Sequence, residues 1–180
     1  MPSIISNFEL IIVPLDENYD ISSFSCANSE LNDFLKDDAL NDQTNLISRT
    51  SLCFWKGELV GYVTLAVDTI GTKEVYVTDG LECYRYNRYP GIKIARFAVD
   101  SRFERRGIGT HLLFAAIGKV LSICDSVGCR YILVDSKKES TGFYEKYGFK
   151  IAERNKKRDF VPMYLNMQPI VAKMNLKSID

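Results

Sequence analysis

The sequence is poor in histidine. His111 is the only one among 180 residues, and the five cysteines Cys26, Cys53, Cys83, Cys124 and Cys129 contain no C-x-x-C pair. Those absences remove the usual zinc-ligand spacings, so no metal is expected. An odd number of unpaired-looking cysteines also argues for reduced, structural thiols rather than a disulfide scaffold. No apolar run approaches the roughly 20 residues a membrane-spanning helix needs. The start Met1-Pro2-Ser3-Ile4-Ile5 lacks a basic n-region and a long apolar core, so the expectation is a cytoplasmic protein with no membrane partner. Internal repeats and low-complexity tracts are absent as well.

Net charge is missing too, because 23 basic and 23 acidic side chains cancel. The balance hides a split. Residues 1–84 carry 4 basic and 14 acidic side chains, whereas residues 85–138 carry 11 basic and 4 acidic. Such polarity fits two ligands of different charge, one of them anionic. It fits equally well with solvated faces that mix in three dimensions. Hydrophobic residues make up 46% of the chain, enough for one domain with a sizeable core. That domain is expected to span residues 1–167, with a peripheral tail at 168–180, where periodicity is weak.

The elements follow from pattern. Phe8 to Val13 suits a first strand. A helix follows with Ser29 as N-cap and Leu31, Phe34, Leu35 and Ala39 on one buried stripe. Thr50 to Trp55 and Glu58 to Ala66 flank Lys56-Gly57 and read as a hairpin. Residues 67–91 resist assignment. In them Tyr84, Tyr86 and Tyr89 alternate with Arg85 and Arg88, either as a stacking surface for bases or as a segment with one wet side. Thr110 to Ser126 reads as a helix with Leu113, Ile117, Val120, Leu121 and Cys124 facing the core, and Gly128 as its stop. Arg130 to Asp135 is an apolar strand. Lys137 to Tyr147 is a short helix stopped by Gly148, and Phe149 to Glu153 and Phe160 to Met167 are final strands joined by the basic loop Arg154 to Asp159. The sum is α/β (α+β): a mixed, mainly antiparallel sheet of six to seven strands with a βαβ crossover and about four helices.

The most informative stretch is Ile94 to Leu113, IARFAVDSRFERRGIGTHLL. A strand leads to a loop with Arg102, Arg105 and Arg106, and Gly107-Ile108-Gly109 then opens a helix. The first backbone N–H groups of a helix lack intrahelical partners and the dipole favours negative charge there, so this order describes an anion site. His111, at the helix start, is read as a surface or capping side chain.

These residues resemble the GNAT N-acetyltransferases. The likeness rests on Ala95-Arg96-Phe97-Ala98-Val99-Asp100, on Glu104-Arg105-Arg106-Gly107-Ile108-Gly109, on the spacing to a strand ending Val134-Asp135, and on Gly142-Phe143-Tyr144-Glu145-Lys146-Tyr147-Gly148-Phe149. The second segment is similar to the family's Gln/Arg-x-x-Gly-x-Gly/Ala loop except at its first position, which is Glu104. Phe24-Ser25-Cys26, Leu31-Asn32, Phe34-Leu35, Arg49-Thr50, Gly61-Tyr62-Val63-Thr64-Leu65-Ala66 and Arg88-Tyr89-Pro90 further resemble the branch that includes bacterial toxins acetylating aminoacyl-tRNA.

The resemblance implies a GNAT fold with a splayed central strand pair and acetyl-CoA as cosubstrate. It implies a pyrophosphate cradle at Glu104, Arg105, Arg106, Gly107, Ile108, Gly109 and Thr110, with the Glu104 side chain turned away, since a carboxylate repels phosphate. It implies that main-chain groups of Phe97, Ala98 and Val99 hold the pantetheine, and that Tyr144 is the general acid in direct transfer to a primary amine. A phenol and a thiol lie close in intrinsic pKa, near 10 and about 8.5, so the proton transfer is nearly balanced. Tyr144 also suits a core aromatic beside Phe143. Asp135, Glu139 and Glu145 are base candidates by sequence proximity alone.

Three acceptors or roles stay open. The branch implies aminoacyl-tRNA, with Arg85, Arg88, Lys137, Lys138, Lys156, Lys157 and Arg158 as phosphate contacts, and an antitoxin protein as partner. The acidic first half suits a small-molecule or protein amine. A non-catalytic acyl-CoA-binding module is the third reading. A homodimer is compatible with all three.

Overall fold

A computed structural model describes residues 3–153 and 159–177. Lys156, Lys157 and Arg158 of the expected basic loop lie outside the described residues. The strands are β1 (Leu10–Pro14), β2 (Arg49–Trp55), β3 (Glu58–Gly71), β4 (Arg88–Val99), β5 (Tyr131–Lys137), β6 (Lys150–Ile151) and β7 (Phe160–Asn166). The helices are α1 (Ser29–Asp33) and α2 (Ala39–Thr44), joined by a π turn at Phe34–Asp38, then α3 (Ile108–Cys124), α4 (Thr141–Glu145) and α5 (Gln168–Lys177). The seven strands form one sheet in the order β1-β2-β3-β4-β5-β7-β6. Pairs β1/β2, β2/β3, β5/β7 and β6/β7 are antiparallel. Between β4 and β5, Arg130 N donates to Pro90 O and Lys93 Nζ to Asp135 Oδ2. The partners advance together along both strands, as a parallel pair joined by the α3 crossover requires. The sequence-derived mixed, mainly antiparallel sheet is therefore present. No helix among the described residues is long and apolar enough to cross a membrane.

The chain groups into two compact units, residues 1–66 with 94–118 and residues 67–93 with 119–180. In the first unit, the β2–β3 turn is the one the sequence announces: Lys56 and Gly57 have φ of 50° and 82°, the left-handed pair a two-residue hairpin of matching twist needs. Three residues on, the register slips: Cys53 faces Gly61 but Phe54 faces Leu59, which leaves Val60 as a bulge. Its carbonyl accepts a bond from Asp100 N at 3.0 Å, at the end of β4. Gly61 is held by close approach. A Cβ there would lie 2.8 Å from Leu112 Cδ1 and 2.9 Å from Ala98 O, so the sheet and α3 meet at a distance only glycine allows.

Phe34, Leu35 and Ala39 are buried as the stripe predicts. The cap, however, is Asn28, whose side chain accepts from Glu30 N, while Ser29 is already helical. In α3 the fully buried face is Ile108, Leu112, Leu113, Ala116 and Val120, which replaces Ile117, Leu121 and Cys124 of the expected stripe. The close packing of Leu112 at Gly61 sets that rotation. The helix also ends at Cys124, four residues before Gly128.

The second unit accounts for residues 67–91. β3 runs on to Gly71, two 3-10 turns follow at Thr72–Glu74 and Val77–Asp79, and β4 starts at Arg88. Asp79 is the anchor. Its carboxylate accepts from Tyr164 OH and Lys150 Nζ, both at 2.8 Å. Its carbonyl accepts from Tyr131 OH at 2.6 Å and Arg130 Nη2 at 2.8 Å. Tyr89 is buried and stacks on Tyr84 at 4.4 Å, whereas Tyr86 is exposed, so the segment has one dry and one wet side. Beyond β7 the chain forms α5 where the sequence showed little periodicity.

Candidate active site

The loop before α3 is shaped from beneath by a residue that the motif reading quotes without giving it a role. Asp100, at the end of β4, has no exposed surface and caps the 3-10 turn Ser101–Phe103. Its Oδ1 accepts from Arg102 N at 3.0 Å and Arg102 Nε at 2.9 Å, and its Oδ2 from Arg102 Nη2 at 3.1 Å and Ser25 N at 3.0 Å. Burial pushes this carboxyl up, but the Arg102 side chain and the Arg102 and Ser25 amides outweigh it and hold its pKa below the ordinary value. Ser101 N donates to Ser25 O at 2.9 Å, so the residue 25 segment and the loop start are bound together. An acid two residues before an arginine at a strand end was the available signal.

The turn above is strained in a directed way. Arg105 has φ 58° and Gly107 φ 90°. Only glycine takes the second value at little cost. A Cβ on Gly107 would meet Ile4 Cγ2 at 3.3 Å, so this glycine is needed for its backbone and for the segment packed against it. Helix α3 then begins, with His111 N donating to Gly107 O at 3.1 Å. Burial lowers the His111 pKa, favouring the neutral ring.

Of the expected contacts, Glu104 and Arg105 are exposed, Ile108 is buried, and Arg106, Gly107, Gly109 and Thr110 are half-buried. Glu104 is exposed, which is compatible with a side chain turned to solvent. The two arginines part company. Arg105 has no ion-pair or hydrogen-bond partner among the described residues. Arg106 donates from Nε to Ser3 O at 3.2 Å and lies 4.6 Å over the Trp55 ring. In β4, Ala98 is buried while Phe97 and Val99 are half-exposed, in the alternation a strand imposes. An exposed cation, a helix N-terminus and a left-handed turn on one loop fit a pyrophosphate.

In the second unit, Tyr144 sits on α4 and is 5% exposed. It packs edge-on to Phe143 at 5.1 Å and Phe149 at 5.4 Å. Its carbonyl accepts from Tyr147 N at 3.0 Å and Phe149 N at 3.2 Å, and Gly148, at φ 88°, turns the chain out of the helix. Burial raises the phenol's pKa, so the hydroxyl keeps its proton through the neutral range. Of the base candidates, Asp135 is engaged by Lys93 Nζ at 2.6 Å, and Glu139 and Glu145 are exposed. Arg85, Lys137 and Lys138 are exposed, and the Arg88 guanidinium is bonded to Thr69. The same unit holds a cavity of about 530 Å³, walled by Leu81, Tyr84, Tyr89, Cys124, Arg130 and Val171 among others. None of the expected coenzyme or catalytic residues lines it, whereas Tyr84 and Tyr89 of the possible base-stacking segment do.

The family model "Acetyltransferase (GNAT) domain" matches residues 19–168. A tRNA-acetylating toxin of Mycobacterium tuberculosis (strain ATCC 25618 / H37Rv) is 34% identical over 137 residues, covering 74% of this chain and 80% of that protein. The solved structure of AtaT complexed with acetyl-methionyl-tRNAfMet is similar at TM-score 0.82 and 22% identity, covering 92% of this chain and 99% of that one. A tyrosine-to-phenylalanine variant of AtaT, bound to the C-terminus of the antitoxin AtaR and to acetyl-CoA, gives TM-score 0.74 at 22% identity, with coverage of 92% and 98%. The chain belongs to the GNAT acetyltransferases, acetyl-CoA-dependent N-acetyltransferases, and within them it resembles the toxins of bacterial toxin–antitoxin pairs.

Proposed function

We propose that the protein transfers an acetyl group directly from acetyl-CoA to the α-amine of an aminoacyl-tRNA, with Tyr144 as the general acid. Acetyl-CoA supplies an activated acyl group on a thiol leaving group. The chain's part is to bind, orient and protonate. The loop at Arg105 to Thr110 offers backbone N–H groups and the exposed Arg105 to the pyrophosphate, and the shape enforced by Asp100 and Gly107 is the observation that carries this reading. The Phe97 to Val99 backbone holds the pantetheine as an added strand. The amine nitrogen forms a bond to the acetyl carbon as the carbon–sulfur bond breaks. The sulfur takes the Tyr144 proton, and the amine's proton returns to the phenoxide through water. The phenol is neutral at pH 7, the state this step needs, and burial, which raises its pKa further, makes it a weaker donor than its intrinsic match to the thiol implies.

The acceptor rests on the 34% identical toxin, which acetylates tRNA, and on the complex of the structurally similar AtaT with acetyl-methionyl-tRNAfMet. Because AtaT structures also contain the antitoxin AtaR, we infer an antitoxin partner. Labelled acetyl-CoA offered to charged tRNA, to deacylated tRNA and to a panel of small amines and peptides separates the acceptors. Label confined to charged tRNA is the expected result. Label only in amines or peptides overturns the tRNA reading, and coenzyme binding with no thiol release for any acceptor overturns catalysis.

A further inference from the structure

The two arginines before Gly107 differ in surroundings, and that difference assigns them different work. Arg106 is committed to the protein. Its backbone carbonyl accepts from Ile5 N at 2.9 Å. Its Nε donates to Ser3 O at 3.2 Å. Its guanidinium lies 4.6 Å over the Trp55 ring and 5.8 Å from the Phe103 ring centre, and Trp55 meets Phe103 edge-on at 5.9 Å. The N-terminal segment is itself fixed: Ile5 is buried, and Ile4 is the side chain a Cβ on Gly107 would meet at 3.3 Å. Residues 3–5 therefore run as a strap along the turn, clamped to both Arg106 and Gly107. Arg105 has the opposite character. It is exposed, it stands at φ 58°, and it has no ion-pair or hydrogen-bond partner among the described residues.

We propose that Arg106 is a positioning residue for the coenzyme loop, acting through Ser3–Ile5 and Trp55, and that Arg105 alone supplies the side-chain charge to the pyrophosphate. The proposal rests on the reading of this loop as the coenzyme site. Arg106 holds the turn in the shape that aims the α3 N-terminus outward. A flat guanidinium that both stacks on indole and donates through Nε cannot be replaced by an ammonium of equal charge. A direct phosphate contact, by contrast, depends on charge and is weakened by salt.

The test measures coenzyme A affinity by calorimetry on the full-length chain at low and high salt, about 50 and 500 mM, where screening differs severalfold. For Arg106→Lys, affinity should fall roughly five- to tenfold, the size expected for a lost stacking and hydrogen-bonding anchor. Trp55→Leu should do the same, and the double variant should be no worse than either single one, because both break one clamp. Arg106→Gln should retain the wild-type salt dependence, while Arg105→Gln should flatten it. With charged tRNA as acceptor, the Arg106 variants should raise KM for acetyl-CoA and leave kcat near its normal value. Thermal midpoints for each variant identify any that fail to fold, in which case the salt dependence of the remaining ones decides. Wild-type affinity in Arg106→Lys, or a flattened salt dependence in Arg106→Gln, overturns the proposal while Arg105→Gln upholds the site. Wild-type affinity in both Arg105→Gln and Arg106→Gln overturns the site itself.

Discussion

Two buried aspartates hold the two segments that matter most, and they do it in different ways. Asp100 fixes the loop before α3 through local bonds: three of its four contacts come from Arg102, two residues on. Asp79 fixes residues 67–91 through distant ones: Arg130, Lys150 and Tyr164 stand 51, 71 and 85 residues away in sequence. Each carboxyl has its pKa held down by hydrogen bonds that overcome burial. One aspartate therefore shapes the turn before α3, and the other ties a long connection to the sheet. On the proposed function, the first affects coenzyme affinity and the second stability alone.

Replacing each with asparagine tests that division. Asp100→Asn replaces a buried carboxylate that accepts four hydrogen bonds with an amide that accepts at its oxygen only, at a cost of about 1–3 kcal/mol. That lowers the thermal midpoint by roughly 2–12 °C for a chain of this size, and coenzyme affinity should drop more than tenfold. Asp79→Asn should lower the midpoint by a similar amount and leave coenzyme affinity within about twofold. A large affinity loss in Asp79→Asn would erase the distinction. Gly61→Ala comes next. Its Cβ collides with the Ala98 carbonyl and with Leu112, so about 2 kcal/mol of stability is lost and KM for acetyl-CoA rises, because the strand that carries Ala98 must shift.

Acid sharpens the comparison further. Both aspartates are ionised more readily in the folded state than the ordinary value of 3.8. Their stabilisation is therefore present above that value and is lost as pH falls through their lowered folded-state values. Urea midpoints between pH 6 and pH 2 should decline for the wild type and decline less steeply for either asparagine variant. The smallest effect is expected at Glu104, which is exposed. Glu104→Gln should leave coenzyme affinity equal or up to a fewfold tighter, by removing a screened like charge. A marked loss by calorimetry would give Glu104 a role that the geometry does not show.

The same contrast explains what the sequence makes legible. The Lys56-Gly57 hairpin and the basic loop with Gly107 are each written in a few adjacent residues, and each appears where expected, whereas the helix expected over Lys137 to Tyr147 is confined to Thr141–Glu145 and ends three residues before Gly148. Asp100 is quoted in the motif but without a role, although its partner Arg102 is nearby, because it acts beneath the loop rather than in it. The Asp79 network was out of reach, since nothing near Asp79 announces Tyr131 or Tyr164. The rotation of α3 depends on Gly61 in another strand, and nothing near Arg106 in sequence announces its contacts with Ser3 and Trp55. The proposed role of Tyr144 rests on its motif, because burial alone fits a core aromatic equally well.

That leaves Tyr144 as the point on which the catalytic account turns. The decisive measurement is the rate of acetyl incorporation from labelled acetyl-CoA into charged tRNA by the wild type and Tyr144→Phe, at saturating coenzyme and with coenzyme affinity measured alongside. The account expects the rate to fall by at least about 100-fold, the lower range for loss of a general acid, with affinity unchanged. Transfer by Tyr144→Phe within a fewfold of the wild-type rate would contradict it.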